Sequence, residues 1–365
     1  MSLRRFVYLV VNDTKRRDFP LRCIDTSRFF FAKGERDGGS ILPVAPPLED
    51  ARLPPPALRF VPRQTDDRNG GMEFMLHGNG GKMGHRVVAI DPMGRCVMCD
   101  PAQRTIRALP ALTVPKFMPA SLAVGDDLYV IDTHFNHIYD RDDIFDGLLY
   151  DEDIGDWESY SLYPPPYARS YDPRSERIAA HMTSYAADGR GDTIWVSKEG
   201  LGTHAFDVDT QVWSKAGDWV LPFWGSGKYI PELKLWLGFS CDEDDGVVCA
   251  SDLAAAPPAA PRIVWRGTPT PPEWEGKSSF LVHLGSSRFC IARFFRIMHP
   301  GVSPCTKFVV FTGFDVERCS GGEELRAVPH KVREIPPHQH IYPLGTLSLF
   351  LTVLNCLATI NIRIM

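Results

Sequence analysis

The side chains best suited to chemistry collect in two polar stretches. His134, His137, Asp140, Asp142 and Asp143 stand close together, and imidazoles with carboxylates at such spacing are metal-ligating types. No helical period aligns them and no distant further ligand is evident, so the stretch reads as a solvated polar loop. Asp242, Glu243, Asp244 and Asp245 precede Gly246. A calcium loop alternates its oxygen ligands and closes on a distant Glu, whereas here Val247, Val248 and Cys249 follow at once, and an acidic hairpin loop is the simpler reading. Cys96 and Cys99 form a Cys-x-x-Cys, but zinc needs a second such pair and redox chemistry needs a helix N-terminus to lower a thiol pKa; Cys96-Val97-Met98-Cys99 reads as a strand. The glycine-rich Gly78-Asn79-Gly80-Gly81-Lys82 has Met83 where a phosphate loop requires Ser or Thr. There is no Gly-x-Ser-x-Gly elbow, no His-Glu-x-x-His and no dinucleotide fingerprint leading from a strand into a helix. The sequence predicts no metal and no cofactor, and leaves open only a catalytic site assembled from distant segments.

The elements that must position these loops are strands. Thr193-Ile194-Trp195-Val196-Ser197 and Thr203-His204-Ala205-Phe206-Asp207 are separated by the turn formers Gly200 and Gly202, and Asp207-Val208-Asp209-Thr210 leads to Trp213. An Asp at the strand end can bond backbone amides two residues on and close the turn, and the Trp offers a large apolar body with one indole donor. The pattern recurs at Tyr150-Asp151 with Trp157 and at Ser251-Asp252 with Trp265, and without the Trp at Cys99-Asp100 and Phe314-Asp315. Upstream strands recur at Asp127-Leu128-Tyr129-Val130-Ile131-Asp132, Lys234-Leu235-Trp236-Leu237-Gly238-Phe239 and Arg288-Phe289-Cys290-Ile291-Ala292. The repeat of roughly 45–60 residues is that of four-stranded propeller blades. The fold class expected is all-β, a β-propeller of six blades, or seven if the first stretch divides. The units fall at 1–55, 57–112, 117–163, 176–220, 226–268 and 277–334, with Trp195, Trp213, Trp236 and Trp265 buried within or between them. The propeller should span 1–335 and leave 336–365 as an apolar tail.

Composition fits this. Of 365 residues, 44% are hydrophobic, enough for a core, and 31 Pro with 30 Gly suit a chain of many tight turns. A net charge of -5 weighs against nucleic acid, and Lys15-Arg16-Arg17, flanked by Asp13 and Asp18, reads as a hairpin turn. Nine scattered cysteines indicate a reduced compartment. The apolar run Phe6–Val11 is too short for a signal-peptide core and reads as the first strand, so the chain is expected in the cytoplasm or nucleus. Between Leu344 and Ile362 the tail is apolar or neutral over nearly the length that spans a bilayer. Asn355 and Asn361 interrupt it, and no Trp belt flanks it. A tail anchor, a non-native tail and a last packed element all remain open, and a membrane contact is expected only through an anchor.

The run from Trp195 to Asp207, then Trp213, Gly217-Asp218-Trp219 and Pro231-Glu232-Leu233-Lys234-Leu235-Trp236-Leu237-Gly238-Phe239 resemble a large plant family, expanded in grasses, of unknown function. Its opening is similar to Arg4-Arg5-Phe6-Val7-Tyr8-Leu9-Val10-Val11 here. The resemblance covers most of 1–335 and implies a kelch-like propeller without assigned activity. Such propellers are mostly protein-binding modules, so the expectation is a non-enzymatic protein that holds an unidentified protein partner through rim loops. The residues expected to do so are His134, His137, Asp140, Tyr167, Asp242, Glu243, Asp244 and Asp245. The alternative is an enzyme with a site in the propeller mouth.

Overall fold

A strand buried on both faces reads as an unbroken apolar run, because successive side chains point to opposite sides and both sides need covering. Strand Asp127–Asp132 shows the consequence. Leu128 and Val130 enter one hydrophobic cluster with Met75, Val88 and Trp157, while Tyr129 and Ile131 enter another with Tyr185, Val196 and Phe206. The same split occurs at Arg288–His299, where Phe289 and Ile291 face one cluster and Cys290 and Ala292 another.

The computed structural model describes residues 4–13, 16–31, 48–50, 53–63, 71–78, 85–116, 119–133, 143–169, 182–242, 246–255, 257–267, 270–299, 302–319, 324–335 and 349–350. Among these the only helical turns are Thr26–Phe29 and Pro166–Arg169, and apart from two parallel pairings the strands pair antiparallel. The first unit pairs Phe6–Val11, Phe19–Asp25 and Leu58–Phe60; the second Glu73–His77, Arg86–Ile90, Cys96–Asp100 and Thr105–Leu109; the third Pro119–Val124, Asp127–Asp132, Phe145–Asp151 and Asp156–Ser161. The fourth is Ser184–Ala187, Thr193–Lys198, Gly202–Asp207 and Val212–Gly217; the fifth Phe223–Ile230, Leu235–Ser240, Val248–Ser251 and Arg262–Trp265; the sixth Trp274–Gly285, Arg288–His299, Val302–Arg318 and Leu325–Ile335. The fourth and fifth units share one eight-stranded sheet, because their first strands pair in parallel, Ser184 opposite Gly225 and Ala186 opposite Gly227.

Each unit shares a hydrophobic cluster with the next. Phe19 and Leu21 pack with Phe74 and Val87 of the second unit, and the clusters already named join the second to the third and the third to the fourth. Ala186 packs with Phe223 and Trp236, and Ile230 and Leu237 with Phe289 and Phe314. The sixth unit then meets the first, with Phe280, Cys290 and Phe311 around Val7, Leu9 and Phe29. The succession of contacts returns to its starting point.

The turn chemistry expected at the strand ends is present at four positions, whereas Asp315 lies within Val302–Arg318 and its Oδ2 meets His330 Nε2 at 2.9 Å. Asp207 Oδ1 accepts from Thr210 N at 2.7 Å, Asp151 Oδ1 from Asp153 N at 2.8 Å, Asp100 Oδ1 from Ala102 N at 3.0 Å, and Asp252 Oδ1 from Ala254 N at 2.9 Å. Gly202, at φ +82°, is required twice over, since a Cβ there would strike the Gly217 carbonyl. Trp236 is buried, whereas Trp195, Trp213 and Trp265 are half-buried against the clusters of their units. Indole donors tie neighbouring units together: Trp236 Nε1 donates to Ala187 O and Trp213 Nε1 to Tyr163 O, both at 2.7 Å.

Two boundaries differ from the sequence reading. The first unit takes its third strand from Leu58–Phe60, beyond the limit at 55, because Leu21 and Phe19 find their ladder partners there at Leu58 and Phe60. Leu48–Asp50 pairs in parallel with Leu325–Ile335 of the sixth unit, so the stretch from Pro43 to Pro56, whose prolines suggest a linker, carries a strand. Within the tail, Leu349–Phe350 pairs with Val11 and Val10 as an added edge strand; the other residues of 336–365 lie outside the described set. Among the described residues no helix is long and apolar enough to cross a membrane.

Candidate functional site

The first strand of each unit, or the connection immediately before or after it, contributes to a common cleft. Here those positions line one pocket of about 260 Å³. The first unit supplies Arg4, just ahead of Phe6–Val11, and the second His85, just ahead of Arg86–Ile90. The third supplies Leu122 to Gly125 and the fourth Ala187 to Gly191. The fifth contributes Lys228 from within Phe223–Ile230, and the sixth His283 near the end of Trp274–Gly285.

The wall is electropositive. Burial lowers the Arg4 pKa to about 9. Lys228 is held well below the usual lysine range, by burial first and by the Arg4 charge second. His85 falls to about 3 through burial and the neighbouring Arg4, partly opposed by the bond of Nδ1 with the Gly78 carbonyl, and Lys228 lowers it further. His283 also falls to about 3, through burial, then Lys228, Arg4 and His85. At 3.0 Å from the Gly78 carbonyl, His85 Nδ1 must carry the proton. His283 is 4% exposed and its Nε2 has no hydrogen-bond partner. Among the described residues neither Arg4 nor Lys228 has an ion-pair partner.

The two carboxylates nearby are engaged elsewhere. Asp188 Oδ1 accepts from Gly191 N at 2.6 Å and Asp192 N at 2.8 Å, closing its own turn. Glu232 Oε1 accepts from Ser286 N at 3.1 Å, and its Oε2 stands 3.9 Å from His283 Nε2, beyond hydrogen-bond reach. Gly189 lies so close to Tyr229 that a Cβ would sit 2.6 Å from the ring, which fixes the glycine turn against the pocket wall. The arrangement suits an anion: several donors converge in a partly enclosed space where, among the described residues, the carboxylates of Asp188 and Glu232 are bonded to backbone amides and neither pairs with Arg4 or Lys228.

Of the residues expected from the sequence to bind a partner, His134, His137, Asp140, Glu243, Asp244 and Asp245 lie outside the described residues. Asp242 is exposed beside the strand end at Ser240. Tyr167 is corrected. It is 4% exposed, packed in the cluster between the third and fourth units, with Lys198 over its ring and His204 against its edge. The loop of Pro164, Pro165 and Pro166 that leads into Tyr167 folds the ring inward because a large apolar body gains more there than at a rim. The Cys-x-x-Cys lies in a strand, and burial raises Cys96 to about 12 and Cys99 to about 11, far from a reactive thiol. Sequence reasoning passed over Arg4, His85, Lys228 and His283. The available signal was a basic residue at or near the first strand of successive units, most visibly Lys228 between Gly227 and Tyr229.

A family model described as a protein of unknown function (DUF1668) matches residues 4–335. No curated protein matches the chain. Among solved structures, an auxiliary nutrient binding protein from Bacteroides ovatus ATCC 8483 is similar at 8% identity, over 92% of this chain and 81% of that one, with a TM-score of 0.41. A likeness of that degree carries no inference about fold or ligand.

Proposed function

The chain belongs to this family of unknown function, membership brings no activity with it, and we propose from the geometry that the protein is a non-enzymatic binding module. In this reading it is a kelch-like β-propeller of six four-stranded blades, of the plant and grass-expanded kind, whose ligand sits where the blades converge. The cyclic succession of packing clusters supports the radial arrangement. The binding reading rests on one observation: six units send residues to a single pocket whose Arg4 and Lys228 have no ion-pair partner among the described residues. Turnover by general acid–base catalysis would want a base and its partner within hydrogen-bond reach, and His283 and Glu232 are separated by 3.9 Å.

A thermal-shift screen of small metabolites against the wild type and Lys228→Met tests this. Compounds that raise the wild-type Tm and not the variant's, and are recovered unchanged, are expected. The proposal fails if no compound acts in a Lys228-dependent way, and recovery of a chemically altered compound would turn the pocket into the enzyme site at the propeller mouth.

A second reading concerns the rim. Trp224 is 65% exposed, opposite Phe239 in the ladder and so at the same end of the fifth unit as Asp242. An exposed indole beside a carboxylate suits a protein partner with a basic or mixed surface. We place such a partner in the cytoplasm or nucleus, and any membrane contact in the C-terminal tail.

A further inference from the structure

Arg4 and Lys228 bring two formal positive charges to one pocket, each from a different unit, and neither has a carboxylate within ion-pairing distance among the described residues. His283 adds a buried ring whose Nε2 has no hydrogen-bond partner. Arg190 extends the positive wall where the turn of the fourth unit opens to solvent. The opposing charges are Asp188, bonded into its turn, and Glu232, bonded to the Ser286 amide. His85, whose Nδ1 donates to the Gly78 carbonyl, and Tyr229 are the other titratable groups on the wall among the described residues.

Resting on the reading of this pocket as the binding centre, we propose that its ligand carries a phosphate group held as a dianion between Lys228 and Arg4, with His283 donating to it once protonated. A lysine ammonium offers three donors and a guanidinium five in a planar fork, the combination that phosphate oxygens accept. A dianion neutralises both cations, whereas a single carboxylate leaves one unpaired in a poorly solvated space. The volume of about 260 Å³ lies near the lower limit of ordinary ligand pockets, roughly 300 Å³. It accommodates a phosphate group with a small remainder, such as a short-chain phosphate monoester.

Binding of an anion favours the protonated form of every base around it. The complex therefore takes up protons, and affinity falls as pH rises through the pKa of Lys228. Sulfate isolates this effect because it stays a dianion throughout, while phosphate changes its own charge near neutrality.

Isothermal titration at constant ionic strength is the test, with inorganic phosphate and glycerol 3-phosphate as the two probes and acetate as the monocarboxylate. The wild type is expected to bind phosphate or its ester saturably at one site, and the tighter of the two identifies whether the free ion or an ester is the natural form. Lys228→Met and Arg4→Met should each weaken binding by about tenfold or more, while the exposed Lys215→Met leaves it unchanged. If one pocket variant fails to fold, the other, from a different unit, reads the same contact. On the wild type alone, sulfate should bind more weakly at about pH 9 than at about pH 6. Binding that survives both pocket substitutions, acetate binding as tightly as phosphate, or a sulfate affinity flat in pH would overturn the proposal. Should phosphate fail while an uncharged compound binds in a Lys228-dependent way, the pocket reading stands and the phosphate assignment falls; should nothing bind there, both fall.

Discussion

Lys116 and Lys228 are both drawn into the protein, and the company each keeps is opposite. The Lys116 side chain, 1% exposed, places Nζ 2.9 Å from the carboxylate of Asp146, itself 0% exposed, and donates to the Asp143 carbonyl at 2.7 Å. Asp146 also accepts from Thr113 N and Thr113 Oγ1, each at 2.8 Å. Charge and hydrogen-bonding capacity are matched within the chain, as a buried ion pair requires. Around Lys228 the neighbours are Arg4, His85 and His283, and among the described residues no carboxylate pairs with it. Among the described residues, one lysine has a full counter-set and the other has none. Under the proposed binding reading, the group that matches Lys228 is the ligand.

The comparison breaks most directly at the matched pair. Asp146→Ala leaves Lys116 buried and uncompensated and should cost about 3–5 kcal/mol, read as a fall in the denaturant midpoint at unchanged m-value. A cost below about 1 kcal/mol would mean that this protein tolerates unpaired buried cations generally, and the pocket would lose its distinction.

Acid should expose the pocket next. His85 and His283 have pKa values lowered to about 3 in the folded protein from an ordinary 6.5. As pH falls below about 6.5 the unfolded chain takes up protons first. Stability contributed at neutral pH is therefore lost progressively toward pH 3. At about pH 5 the loss from His283 is on the order of 2 kcal/mol. His283→Gln should flatten the dependence of Tm on pH over that window relative to the wild type, which cancels the contribution of titrating carboxylates elsewhere. Parallel profiles for the two proteins would show that the ring is not held neutral by its burial and its basic neighbours.

What was legible in the sequence and what was not divide along the same line. The strands, their Asp-closed turns and the all-β class announce themselves locally: Asp127–Asp132 shows apolar residues on both faces, and Asp207 and Thr210 lie within one turn. The pocket has no local signature. Arg4, His85, Lys228 and His283 are separated by long stretches of chain, and each alone reads as a polar residue at or within a strand. Only the convergence of units gives them a common address. Tyr167 failed for the converse reason, since a proline-rich loop looks exposed in sequence whether its ring turns outward or, as here, inward onto His204. The acidic and histidine-rich stretches drew notice through composition, and of them only Asp143 and Asp242 among the named carboxylates belong to the described residues.

A smaller effect of opposite sign is expected at the unmatched lysine. Without ligand, Lys228→Met removes a cation crowded by Arg4 and two imidazoles and replaces it with an apolar chain of similar length. Stability in a phosphate-free buffer should hold or rise, by about 1 kcal/mol, in contrast to the large loss at Asp146. Destabilisation by Lys228→Met of the size expected at Asp146 would place a hidden counter-charge beside Lys228 and dissolve the comparison.

The smallest change in stability is expected where a charge faces water, which sets the zero of the scale. Asp242 is exposed, and its surroundings are the strand end at Ser240 and the neighbouring Cys241. Asp242→Lys should alter stability by no more than about 0.5 kcal/mol, as exposed substitutions usually do. A larger loss would mean the loop is part of the packed structure and unfit to serve as a free rim. Binding is a separate readout. If a partner with a basic surface is held beside Trp224, reversal at Asp242 should slow its association and lessen the salt dependence of the rate, because rim charges act chiefly on encounter. Trp224→Ala should instead speed dissociation, because it removes buried contact area. A partner captured from cell extract by the wild type and retained equally by both variants would not be held at this end of the fifth unit, and the rim reading would give way to the pocket alone.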